Sequence, residues 1–110
     1  MILTTISSVP GQDIEKTCGI VTGSSVQAKH ISSDLRAGFK TLLGGEINEY
    51  TDMVEKTRIL ATERMIQEAH ALGANGIVGV QYTTSSIMEG AAEILVYGTA
   101  VVLSGGGQDE

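Results

Sequence analysis

The sequence predicts an α/β domain of the α+β type, with one long helix packed on a mainly antiparallel sheet. A helical repeat of apolar residues runs over residues 50–72 and stops at Gly73. Segments rich in β-branched residues lie on both sides of it. The chain of 110 residues has the length of a single domain. We therefore expect one domain over residues 1–103 and a flexible acidic tail over residues 104–110.

The N-terminal part is predicted to contain two strands. Residues 1–5 are short, apolar and β-prone, and the Pro-Gly pair within residues 9–13 predicts a turn after them. A second strand is predicted over residues 15–22. Because glycine inside a strand usually marks a bulge or a close backbone approach, Gly19 and Gly23 predict one or the other.

A short helix is predicted next, from Asp34 to about Leu43. Ser32, Ser33 and Asp34 are its N-cap candidates, and the glycines that begin at Gly44 stop it.

The long helix over residues 50–72 carries an apolar arc wider than the ~100° stripe that packing on one sheet requires. The central stripe consists of Val54, Ala61, Met65, Ala69 and Leu72. Flanking positions are Met53, Leu60 and Ala71 on one side and Ile59 and Ile66 on the other, with Lys56, Glu63 and Gln67 in the polar sector. One interpretation is a helix buried inside a large core. A chain of this length has few residues with which to build such a core. We favour packing against the sheet and a neighbouring subunit.

The last two strands are predicted over residues 77–84 and 93–103, joined by a loop over residues 85–90. The final strand is apolar on both faces: Ile94, Val96, Ala100 and Val102 alternate with Leu95, Tyr97, Val101 and Leu103. Because an antiparallel strand with one wet face alternates apolar and polar residues, the second face again predicts a covering partner.

Composition excludes several classes of partner. Charged residues make up 18% of the chain, below the roughly one quarter of ordinary domains, which favours a covered surface. The seven Lys and Arg are scattered and the net charge is -6, so we expect neither nucleic acid nor a membrane surface as partner. No apolar run approaches the ~20 residues of a membrane span. A single cysteine and an N-terminus without signal-peptide features favour the cytoplasm.

Three stretches carry a resemblance to a known family: CGIVTGSSV at residues 18–26, DLRAGFKTLLGG at residues 34–45 and EAHALGANGIVGV at residues 68–80. Together they resemble the uncharacterised YbjQ-like family, which carries a heavy-metal-binding label, over roughly residues 2–103. The resemblance implies a small β-α-β-β subunit, similar to a dodecin subunit, that forms a ring-shaped homo-oligomer with a pentamer as the leading arrangement. A ring agrees with the two surplus apolar faces.

Cys18 is the metal-ligand candidate because it is the only thiol. A closed zinc site needs four ligands, commonly in paired short spacings, and Cys18, His30 and His70 show no such pairing. Cys18 could therefore hold a metal only if several subunits shared it around a ring axis. The alternative interpretation is a cysteine packed as a small hydrophobic residue. A metal ion is the one cofactor that this leaves open.

The histidines have ordinary structural interpretations. His30 and Asp34 could form a general-base pair at four-residue spacing, but a solvated histidine and an N-cap aspartate explain them better. His70 lies near the end of the long helix, where the helix dipole favours a cation.

The glycine-rich loops and the arginines also have ordinary structural interpretations. Residues 19–25 lack the lysine and the following helix of a phosphate cradle, and residues 73–76 are typical of a helix stop. Arg36, Arg58 and Arg64 could bind an anion if they converged, although exposed positions are usual for arginine.

No catalytic residue is predicted. The leading hypothesis is a non-catalytic oligomeric binding or scaffold protein that holds a small molecule or ion within a ring or at subunit interfaces. One alternative is an enzyme whose active site is assembled at subunit interfaces from residues that look unrelated in one chain. Another is a heavy-metal-binding protein, as the family label suggests.

Overall fold

A computed structural model describes residues 1–28, 47–88 and 91–105 and contains one helix packed on a four-stranded mixed sheet. The elements are β1 (Ile2–Leu3), β2 (Ile14–Ala28), α1 (Ile47–Ala71), β3 (Gly76–Met88) and β4 (Ala91–Leu103). The predicted α+β class is confirmed. The short helix predicted over residues 34–43, with its caps, lies outside the described residues.

The sheet has the order β1-β3-β4-β2 and is mainly antiparallel, as predicted. β4 pairs antiparallel with both β2 and β3, and only β1 pairs parallel, with β3. Three strands are longer than predicted: β2 continues past Thr22 to Ala28, residues 85–88 are strand rather than loop, and β4 begins at Ala91. Pairing with β4, rather than the local sequence, decides the conformation of these residues. β1 is shorter than the five residues predicted, because it has only two.

The predicted turn after the first strand is confirmed. The Gln12 amide donates to the Val9 carbonyl at 3.0 Å, and Gly11 has a φ of 83°, as the third residue of a type II turn requires. Beyond β1 the chain keeps pairing with β3, because the Thr4 amide donates to the Ile77 carbonyl.

The helix stop predicted at Gly73 is a Schellman motif. Gly73 has a φ of 81°, its amide donates to the His70 carbonyl at 3.0 Å, and the Ala74 amide donates to the Ala69 carbonyl at 3.1 Å. Leu72 ends the helix with its side chain 46% exposed, so its predicted place in the core stripe is wrong. Leu72 lies one residue past Ala71, the last residue of the helix.

The core lies between α1 and the sheet. Ala61, Met65 and Ala69 are fully buried, as predicted, and Val54 packs against the same cluster. Thr57 completes the stripe; it is fully buried, and its hydroxyl donates to the Met53 carbonyl at 2.7 Å. The sheet contributes Val21, Ile77, Val80, Ile94, Val96 and Ala100.

Glycines shape the contact between sheet and helix. Gly23 meets the helix backbone, since an added Cβ would overlap the Ala61 carbonyl oxygen and lie 2.6 Å from the Met65 nitrogen. Gly19 has a φ of 125° and lies at a register shift between β2 and β4. The predicted alternatives, a bulge or a close approach, are thus both present.

A third glycine, at a bulge in β3, brings Ile77 and Val80 to the same side of the sheet. Gly79 has a φ of 64° and lies within the register shift between Val78 and Gln81. Residues three apart in a regular strand would face opposite sides, so the bulge is what places both side chains in the core.

The second face of β4 is covered at one end by the chain itself. Val78, Val101 and Leu103 are buried there beneath Ile2 and Val9 of the N-terminal segment. The expectation that a partner covers this whole face is therefore wrong for its end, because the N-terminal segment folds over it.

Asn75 and Ser104 close the same end of the sheet. The Asn75 side chain accepts from the Leu103 amide at 2.7 Å and donates to the Leu103 carbonyl at 3.1 Å. Ser104 exchanges hydrogen bonds with Asp13, so the paired chain extends one residue into the predicted tail. Residues 106–110 of that tail lie outside the described residues.

Candidate functional site

One surface of the sheet is covered in the described structure only at one end, where the N-terminal segment lies over Val78, Val101 and Leu103. It lies on the side opposite α1, and we call it the open face. Cross-strand register defines its rows, from β2 through β4 to β3: Ile20–Thr99–Val78, Thr22–Tyr97–Gln81, Ser24–Leu95–Thr83 and Val26–Glu93–Ser85.

The open face carries exposed apolar side chains in three of its four rows and is nearly uncharged. Ile20 is 78% exposed and Val26 is 52% exposed, although both lie within a strand, and Tyr97 is 36% exposed between them. Glu93 is the one charged side chain in the four rows. Exposed apolar side chains gathered on one face of a sheet favour an interaction site.

In the part of the chain that the structure describes, a second uncovered surface lies between α1 and β3, and we call it the helix flank. Ile59 is 49% exposed, and Tyr82 of β3 is exposed beside it on the same side of the sheet. The Tyr82 and Thr62 hydroxyls lie 2.9 Å apart, which ties this part of β3 to the helix. Ile66 is half-buried and packs against the core, so of the two predicted interface isoleucines only Ile59 is well exposed.

Cys18 lies on the helix side of β2, next to the bulge at Gly19. Its side chain is half-buried and packs against the core cluster, which agrees with a small hydrophobic residue. Within residues 1–28, 47–88 and 91–105, no three His, Cys, Asp or Glu side chains come together as a metal-binding group. The metal-binding side chains in these residues of one subunit therefore do not form a closed metal site at Cys18.

The remaining candidate residues do not converge where the structure describes them. Arg58 pairs with Glu55 at 3.5 Å on the helix surface, whereas Arg64 donates to the Ser24 carbonyl. His70 is exposed in the last turn of α1, as expected. His30, Asp34 and Arg36 lie outside the described residues.

Three structurally important residues were missed by sequence reasoning. Thr57 is buried and shares the helical spacing of the core stripe, which is a signal that the sequence carries. Asn75 was assigned to helix-stop chemistry, and no local signal shows that it pairs with Leu103 across 28 positions. Glu68 accepts a hydrogen bond from the backbone of β2, a contact that only the packing of α1 creates.

The chain matches, over residues 1–104, the YbjQ family, whose description is "Putative heavy-metal-binding". It belongs to this family. A UPF0145 protein of Thermus thermophilus is 50% identical over 103 residues, which cover 94% of this chain and 90% of the relative. A UPF0145 protein of Thermotoga maritima is 52% identical, with 94% and 97% covered. These are relatives of uncharacterised function, and the resemblance inferred from the sequence is confirmed.

A solved structure from Pediococcus pentosaceus, a protein of unknown function in the DUF74 family, has the same fold. The TM-score is 0.65 at 21% identity, with 94% of this chain and 98% of that chain covered. In the described part of the YbjQ-family chain, no helix is both long and apolar enough to cross a membrane.

Proposed function

We propose that this YbjQ-family protein is a non-catalytic subunit of a homo-oligomeric binding or scaffold assembly. The observation that carries the proposal is the open face, where Ile20, Val26 and Tyr97 form exposed apolar surface across paired strands. A second copy of the chain is the partner that would remove this surface from water in every subunit at once.

The helix flank supports the same conclusion, because Ile59 and Tyr82 expose apolar surface on the opposite side of the subunit. A two-fold dimer uses one patch twice. A head-to-tail contact uses two different patches and forms a ring when the rotation between neighbouring subunits closes. Two uncovered patches therefore favour a ring, with five subunits as the leading arrangement. The proposal includes a small molecule or ion held in the ring or at its interfaces.

The proposal places the assembly in the cytoplasm, without nucleic acid or membrane as a partner. Its supports are the single cysteine, which suits a reducing compartment, and the net charge of -6 with scattered basic residues.

Substitution of Ile20 by glutamate tests the open face. If a second subunit covers Ile20, the unpaired charge costs about 3–5 kcal/mol at the interface, and the assembly dissociates. Light scattering during size-exclusion chromatography should then show a smaller species than the wild type. Gln67→Glu is the matched control, since it adds the same charge in the exposed polar sector of α1. An Ile20→Glu protein with the wild-type mass would refute the open face as an interface.

Heavy-metal binding is the second candidate function, and the family description favours it. Cys18 is the only thiol, and the described part of one chain supplies no cluster around it. Further ligands would have to come from outside that part, including other copies of Cys18. Metal binding at Cys18 would therefore depend on the assembly.

A further inference from the structure

The outer edge of the sheet at β2 carries an unusual covering. β2 is a 15-residue strand that pairs with β4 on one side, and among the described residues no strand lies on its other side. Such an edge presents a row of unpaired N–H and C=O groups, which is a template for pairing with another chain. At the opposite edge, β1 pairs with Gly76 and Ile77 of β3, and the chain after β1 continues this pairing as far as Val80.

Two side chains of α1 occupy the centre of the β2 edge. The Thr22 amide donates to Glu68 Oε1 at 2.7 Å, and Arg64 Nη1 donates to the Ser24 carbonyl at 2.7 Å. Thr22 and Ser24 are two apart in a strand, so their backbone groups point the same way. Arg64 and Glu68 are four apart in a helix, so they lie on one flank.

These two contacts supply the same hydrogen-bonding groups that a neighbouring strand would supply. One side chain supplies an acceptor for an edge N–H, and the other supplies a donor for an edge C=O. Gly23 lies between the two contact points, and its missing side chain lets the helix backbone approach closely enough for both to form.

We infer that Arg64 and Glu68 guard the edge of the sheet: they take the place of a strand at the centre of β2 and so prevent β2 of a second copy from pairing there. The guarded segment, Thr22-Gly23-Ser24, consists of small and polar residues, which fix strand register weakly and are prone to alternative pairing. With the centre of the β2 edge guarded, ordered assembly uses the open face and the helix flank. It does not depend on the proposed function, since a monomer would need it equally.

The double variant Arg64→Ala/Glu68→Ala tests the guard in the full-length protein. We expect loss of soluble protein on incubation, a rise in thioflavin T fluorescence, and exchange of the Thr22 amide about fivefold faster in freshly prepared protein, as loss of one hydrogen bond implies. Lys56→Ala/Glu63→Ala is the matched control, because it removes the same pair of charges from exposed positions of α1. The control should behave as the wild type.

Adding Thr22→Pro to the double variant removes the edge N–H and should restore solubility, since proline is tolerated on edge strands and blocks pairing. If the proline variant does not fold, amide exchange is measured in the associated double variant instead. Pairing at the β2 edge would protect the Thr22 amide from exchange again, and this protection would support the inference. The inference is overturned if the double variant stays soluble, whether or not exchange at Thr22 changes. It is also overturned if the protein unfolds without associating, or associates while Thr22 remains unprotected.

Discussion

At the scale of single residues, Gly73 shows how one position ends the main helix. Its φ of 81° and the two hydrogen bonds to His70 and Ala69 require a left-handed backbone conformation. A β-branched residue is strained there, so we expect Gly73→Val to lower the free energy of unfolding by about 1 kcal/mol or more. Urea denaturation at fixed protein concentration measures the change.

Gly73→Asn is the control for that measurement, because asparagine enters the left-handed region more readily than other residues with a side chain. Its loss of stability should be smaller than that of Gly73→Val. Equal losses would show that the side chain is excluded by its surroundings rather than by the backbone angle, although no atom lies within 4 Å of a Cβ built at Gly73.

Cys18 gives a residue-scale test of the family description. One thiolate supplies only part of a zinc or copper site, so we expect any binding to show one metal shared among subunits and to disappear in Cys18→Ser. Calorimetric titration with zinc and copper, on wild-type and variant protein, measures both quantities. Binding at one metal per chain that survives the substitution would instead indicate a site of histidines and carboxylates.

At the scale of elements, the packing of α1 on β2 depends on Gly23. Alanine is ordinarily the better strand residue, so Gly23→Ala would stabilise an open strand. Here a Cβ collides with the backbone of α1, which cannot move aside as a side chain could. We therefore expect a loss of at least about 1–3 kcal/mol in stability, the usual cost of overpacking.

Thermal or urea unfolding measures this loss, with Ser24→Ala as the neighbouring control. Ser24 is exposed and its side chain points to the open face, so its truncation should change stability by less than about 0.5 kcal/mol. A Gly23→Ala protein as stable as the wild type would contradict the close approach of helix and strand.

At the scale of the whole molecule, the open face and the helix flank make a joint test of ring assembly. In a ring formed by head-to-tail contacts both patches are covered, so Ile59→Glu should dissociate the assembly as Ile20→Glu does. In a two-fold dimer built on the open face, Ile59→Glu would leave the mass unchanged. Light scattering or native mass spectrometry at micromolar concentration separates these outcomes, with Gln67→Glu again as control.

Ile59 is the better test of the flank than Ile66. Both were predicted to lie at an interface, but Ile66 packs against the core of its own subunit, so a charge there would also destabilise the monomer. A helical-content measurement on Ile59→Glu should match the wild type. A stable, well-folded wild-type monomer would contradict the proposed assembly altogether.

The sequence by itself determined the α+β class, the long helix and its stop at Gly73, because helical periodicity and glycine's left-handed backbone are local properties. It also predicted the special roles of Gly19 and Gly23. Strand lengths were underestimated, since pairing with β4 extends β2 and β3 through residues that resemble a loop. Hydrogen bonding between strands depends on two segments, so the sequence of one segment does not reveal it.

Only the tertiary structure decided which apolar residues remain uncovered. The sequence left Val101 and Tyr97 equivalent on one face of β4, but the N-terminal segment folds over Val101 and not over Tyr97. Likewise, Arg64 and Glu68 are ordinary exposed helix residues by sequence, and they reach the β2 edge only because Gly23 brings the two backbones together. Such contacts join residues about 40 positions apart, and packing alone selects them among the many that local patterns allow.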